Sequence, residues 1–190
     1  MYRVILFWAA LLSVAATAEA ANGNPQLARM AGTWRMDPAA SVDLAAWQTM
    51  DLTIAVDGGK VTLTRHLAAG RRSYDEVTAL DLAKDVNVVP LPWWSANRHL
   101  GAYSGGDHTK KVRVQLLEGG RILRTTADFV LDTQQGPHPV NVITDYRLSA
   151  SGTQLTVIEL RSTRNQPLVY VFKRPGDKSI GTAVDGENAE

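Results

Sequence analysis

Through most of its length the chain alternates between apolar and polar residues. Leu52, Ile54 and Val56 alternate with Thr53 and Ala55, a period of two that predicts a half-buried strand. Asp57-Gly58-Gly59-Lys60 follows, a tight-turn signal because glycine accepts a positive φ. With Gly58-Gly59 at the centre, Val56 faces Val61 and Ile54 faces Leu63, and the apolar face runs on into Arg65. Ala69-Gly70 marks the next turn, into a strand over 72–80 that carries Tyr74 and Glu76 on the same face. The second half repeats this grammar. Val112, Val114 and Leu116 run to Gly119-Gly120, and Leu123, Thr125, Ala127, Phe129 and Leu131 return, with Leu116 opposite Leu123 and Val114 opposite Thr125. Val140, Val142, Tyr146 and Leu148 form a further face. After a turn over 149–152, Leu155 and Val157 come back on the same side, followed by Glu159 and Arg161, and 168–172 makes a last strand before Pro175. About eight to ten strands at hairpin spacing, with no long helix, predict an all-β fold: a sandwich or an antiparallel up-and-down β-barrel.

Three stretches break the rhythm. Pro25 to Met30 fits one or two helical turns, with Asn24 as N-cap and Pro25 at the first helical position. Residues 84–109 hold one short strand over 86–91 and then a long loop with Trp93-Trp94. Residues 176–190 are polar and read as a disordered tail.

Ahead of the first turn, Arg3 precedes an apolar run from Val4 to Ala18 and then Ala18-Glu19-Ala20. That order reads as a secretory signal peptide over 1–20. The run is shorter than the roughly 20 residues a bilayer-spanning helix needs, so no membrane anchor is expected after cleavage. Residues 21–175 then form one barrel domain in a periplasmic or secreted protein. The chain has no cysteine and a formal net charge of +1. It therefore forms no disulfide, offers no thiolate and gives no electrostatic case for nucleic acid.

Leu27-Ala28-Arg29-Met30-Ala31-Gly32-Thr33-Trp34 resembles the entry to a lipocalin-like barrel of the calycin group, in which a short helical turn precedes Gly-x-Trp on the first strand. With Arg35-Met36-Asp37-Pro38-Ala39-Ala40-Ser41, the segment resembles the opening of small exported bacterial lipocalin-like proteins of unassigned role. Thr144-Asp145-Tyr146 has the letters of a second lipocalin element but sits inside an alternating strand and not at a late turn, and no clear helix follows the late strands, so the resemblance is to lipocalins in the broad sense. The resemblance implies an up-and-down barrel whose floor is crossed by Trp34, with Gly32 letting the backbone pass close by. Gly-Thr-Trp also opens avidin-like barrels. A barrel of this size holds one small ligand in its mouth.

The candidate ligand-binding residues are Trp93, Trp94, Arg65, Tyr74 and Tyr146. Charged residues that continue an apolar face either fix a ligand's polar end or lie past the core at a wet rim. Arg with Tyr suits a carboxylate or phenolate, because guanidinium offers a planar donor fork. Trp93-Trp94 either covers an apolar opening as a lid or packs as core. No cofactor motif is present, and His66, His99, His108 and His138 show no close metal spacing. Lys110-Lys111 with Arg113 reads as a solvated strand edge, and Asp75-Glu76 face opposite sides of a strand. No catalytic residue is expected. The reading is an exported barrel that binds or carries a small, largely apolar or aromatic ligand. Two alternatives stay open: an enzyme of isomerase or hydratase type on such a barrel, marked by an Arg65–Tyr74–Glu76 cluster with a shifted carboxyl pKa, or a solid barrel acting as a protein-interaction module.

Overall fold

The computed structural model of the chain describes residues 23–44, 46–96 and 102–181. The expected signal segment, His99 and the last nine residues lie outside them. Among the described residues, eleven strands form one antiparallel sheet: β1 (Gly32–Met36), β2 (Thr49–Asp57), β3 (Lys60–Ala69), β4 (Arg72–Asp81), β5 (Asn87–Pro90), β6 (Ala102–Ser104), β7 (Thr109–Leu117), β8 (Ile122–Thr133), β9 (Gly136–Leu148), β10 (Gln154–Arg161) and β11 (Leu168–Lys173). Ten of them follow one another round a nearly closed barrel in chain order, and β6 pairs beside β8. The expected up-and-down barrel is thus present, with β6 as an addition from the Gly-rich loop.

The hairpin registers follow the sequence pattern. Val56 pairs with Val61 and Ile54 with Leu63. Leu116 pairs with Leu123 and Val114 with Thr125. The turn there is a 3-10 turn over Glu118–Gly120 rather than a two-residue loop, yet the register is the one expected. Period-two alternation sends one face of every strand inward, and the inward apolar residues form a continuous core from Leu27 to Phe172.

The ring closes in two different ways. β1 pairs with β11, as in Met36 opposite Phe172, so the first and last strands are joined by hydrogen bonds. β4 and β5 are consecutive in the chain but share no ladder. The Asn87 side chain ties one end of this seam: its Oδ1 accepts from Asp81 N at 2.8 Å and its Nδ2 donates to Asp81 O at 3.1 Å.

The floor is built by helix α1 (Pro25–Met30), capped by Asn24, whose side chain accepts from the amides of Gln26 and Leu27. Trp34 is fully buried and donates its indole N–H to Met30 O at 2.7 Å. Arg174 lies 3.6 Å over the Trp34 ring and donates to Ala31 O at 2.9 Å and Arg29 O at 2.8 Å. Gly32 has φ +107°, and a Cβ there would meet Arg174 Nη1 at 2.8 Å. Of the expected tail, residues 176–181 return to the barrel, where Gly181 N donates to Asp37 Oδ1 at 3.0 Å.

Candidate functional site

Alternation carries five charged side chains into the upper lumen. Arg65 on β3 stands opposite Glu76 on β4, and Glu159 and Arg161 follow Val157 on β10. Lys110 opens the inward face of β7 that continues as Val112 and Val114. Arg65 donates to Glu76 at 2.7 Å and to Glu159 at 3.4 Å. Lys110 donates to Glu76 at 3.0 Å and to Thr78 Oγ1 at 2.9 Å. Arg161 Nε donates to Glu159. Glu76, Lys110 and Glu159 retain 9%, 8% and 4% exposure, so these groups lie inside the barrel, not at a wet rim.

Lys110 also has a structural consequence. It reaches from β7, past β5, to Glu76 and Thr78 on β4, so an internal ion pair stitches the seam where the ladder is missing.

The electrostatics follow from this packing. Burial favours a neutral Glu76, but Arg65 and Lys110 outweigh it and hold the carboxyl far below the usual range. Burial likewise opposes charge on Arg65, and Glu76 and Glu159 overcome it. The Tyr146 phenol is pushed up to about 12, chiefly by burial, so at neutral pH it is a hydroxyl donor. Among the described residues, the hydrogen-bonded cluster holds three cations, Arg65, Lys110 and Arg161, against two carboxylates, Glu76 and Glu159.

The interior space is small. A chamber of about 60 Å³ lies beside Arg65, Lys110, Tyr146 and Arg161, with Trp94 and Phe129 on its apolar side. A second chamber of about 60 Å³ lies under Trp47 and Tyr170 and shares Arg65, Ala96 and Arg161 with the first. Each has room for a few waters, whereas pockets for drug-sized ligands measure roughly 300–1,000 Å³. Among the described residues, the hydroxyls of Thr125, Thr144 and Tyr146 line the first chamber without a protein hydrogen bond. No fully buried side-chain polar atom there lacks a partner. These hydroxyls are therefore open to the chamber.

The mouth is covered by the segment 92–96. Ser95 Oγ donates to Glu76 Oε2 at 2.7 Å, and Trp47 Nε1 donates to Ser95 O at 2.9 Å. Trp94 faces the first chamber, with the Arg161 guanidinium 5.9 Å from its ring centroid. Trp93 stands edge-on to Tyr74 at 4.8 Å and to Trp47 at 5.9 Å.

Of the five residues expected at a ligand, Arg65, Trp94 and Tyr146 share the first chamber. Tyr74 and Trp93 belong to the aromatic group on the rim. Tyr74 makes no hydrogen bond to the ion cluster, so of the Arg65–Tyr74–Glu76 group that would mark the enzyme alternative, Arg65 and Glu76 are joined directly and Tyr74 is not. Lys110 corrects the reading of a solvated basic edge. Lys111 and Arg113 face solvent, and Lys110 points inward because the alternation Lys110, Val112, Val114, Leu116 places it there. Ser95 gave no sequence signal. Asp75 and Glu76 face opposite sides, with Asp75 paired to His66 outside. Among the described residues, no group of three His, Cys, Asp or Glu could hold a metal ion.

No protein-family model matches this chain. No curated protein matches it either. Among solved structures it is similar to one described as "REP1-NXSQ fatty acid transporter". The identity is 11% over 77% of this chain and 96% of that one, with a TM-score of 0.43.

Proposed function

We propose that this chain is an exported, lipocalin-like carrier that binds a small amphipathic monoanion in its lumen. The observation that supports this reading is the charge inventory of the cluster. Among the described residues of the hydrogen-bonded cluster, three cations face two carboxylates, and an unmatched buried charge is costly. One anionic group on a ligand balances it. Arg65 gives both terminal nitrogens to Glu76 and Glu159, whereas Arg161 gives only its Nε to Glu159, so the anion goes to the terminal nitrogens of Arg161, with the open hydroxyl of Tyr146 as a second donor. Leu91, Trp94, Phe129 and Val142 flank the apolar part of the ligand. A carboxylate fits this donor set best, because guanidinium and hydroxyl donors match its two oxygens.

An enzyme that moves protons at neutral pH needs a group poised near 7, and Glu76 is displaced in the opposite direction. The small chambers favour a second reading, a solid barrel that acts through its surface.

One titration separates them. Anilinonaphthalene sulfonate is an apolar aromatic monoanion, and N-phenylnaphthylamine is its uncharged analogue. Preferential binding of the sulfonate is expected. Tyr146→Phe, which removes a hydroxyl that holds nothing in the protein, should weaken the sulfonate several-fold. Arg161→Met should weaken it about 10- to 100-fold, as for loss of a hydrogen bond to a charged group, and leave the neutral probe nearly unchanged. Absence of binding by either probe supports the solid barrel instead.

A further inference from the structure

If a ligand occupies the lumen, it needs a way in, and the question rests on the binding reading above. Neither chamber is large enough to take even the probe without some part of the barrel giving way. The floor is pinned at several points: Asn24 Nδ2 donates to Gly119 O at 3.2 Å, Arg29 to Ala150 O at 3.3 Å, and Arg174 to two carbonyls of the α1 end. The seam is tied at one end by the buried Asn87 and crossed by Lys110. The mouth is held by less. Among the described residues, segment 92–96 has two hydrogen bonds to the barrel, both at Ser95, together with aromatic contacts and the packing of Trp94 on a small cluster with Phe129.

The geometry points to Pro92–Ala96 as a lid, with Ser95 as its latch and Leu91 as its fixed end. Leu91 is anchored on both sides of its peptide unit: its N–H donates to His108 O at 2.6 Å, and its carbonyl accepts from Ser104. It also packs in a satellite core with Phe129, Leu131 and Val140. Pro92 follows and stiffens the exit. Beyond it, the segment touches the rim through Trp93, the ion cluster through Ser95, and the edge of the satellite core through Trp94. Ala96 stands in the partition between the two chambers. Swinging the segment outward releases Ser95 from Glu76 and Trp47 and joins both chambers to the opening. Glu76 keeps Arg65 and Lys110 in that state, so the open form retains its charge pairing, and what is broken is the two hydrogen bonds at Ser95 and the packing of Trp93 and Trp94.

Two indoles test this without any ligand. Trp47 and Trp34 are both buried and both donate to a backbone carbonyl, one to the lid and one to the floor. If the lid opens by itself, the Trp47 indole N–H exchanges with solvent at least tenfold faster than that of Trp34 in the wild-type protein. Ser95→Ala then speeds Trp47 about tenfold more, the scale of a hydrogen bond to a charged group. Trp34 follows global stability alone. Ser95→Thr, which keeps the hydroxyl, restores the slow rate. With anilinonaphthalene sulfonate, Ser95→Ala raises the association and dissociation rates together and leaves Kd within about threefold, since a latch alters access more than affinity. Equal exchange of the two indoles, or an equal shift of both in Ser95→Ala, overturns the lid and makes the segment a fixed plug. Unequal exchange with no probe binding keeps the lid and overturns the carrier reading.

Discussion

At the scale of single residues, Glu76 has the largest share of the upper lumen. It accepts from Arg65, Lys110 and Ser95, so one carboxylate serves the cluster, the seam and the mouth together. Removing its charge leaves two buried cations short of a partner. Glu76→Gln should cost about 3–5 kcal/mol, the range for breaking a buried ion pair by removing one partner, read from urea unfolding at pH 7. The sign of the pH dependence follows from the depressed pKa. The folded state binds fewer protons here than the unfolded chain, whose Glu titrates near about 4.3. The contribution is therefore full above that range and drains away as pH falls toward the lower folded value. The urea midpoint should drop between pH 5 and pH 3, and the drop should be shallower in Glu76→Gln. An acid limb of equal steepness in both proteins would show that Glu76 is not what acid attacks.

At the scale of elements, the hairpins were legible because glycine-centred turns fix register, and register fixes which face each residue takes. Arg65, Glu76, Glu159 and Arg161 were placed on apolar faces for that reason. Whether those faces met inside the barrel was not legible, since Arg65 and Glu159 lie 94 residues apart and no local pattern brings them together. Lys110 was obscured by Lys111, and β6 is too short to show a period. The missing ladder between β4 and β5 left no trace in either strand's alternation. The floor element, in contrast, was written into Asn24-Pro25 and Gly-Thr-Trp. Asn24→Ala should cost about 1 kcal/mol, typical for a lost N-cap, with the lumen unchanged. Gly32→Ala should cost about 1–3 kcal/mol, because alanine at a positive φ is strained. Its Cβ also drives into Arg174, whose guanidinium is held over Trp34. Thermal melts of the two variants check both values, and a neutral Gly32→Ala would mean that the helix-to-strand joint relaxes without cost.

At the scale of the whole molecule, the ring of strands has two discontinuities that do not coincide. Between β4 and β5 the chain continues and the ladder stops. Between β11 and β1 the ladder continues and the two strands belong to opposite ends of the chain. Each break is bridged by the kind of bond missing at the other. A cut between Lys84 and Asp85, in the exposed connection after β4, would therefore sever the backbone where no strand pairing depends on it. A protease site placed there should yield two fragments that separate in denaturant but travel as one particle in buffer, zipped along the β1–β11 ladder. The same cut point defines a reordered chain that begins at β5 and ends at β4. In hydrogen-bond terms the barrel is a strip whose natural edges are β5 and β4, and the chain order enters that strip in the middle, at β1.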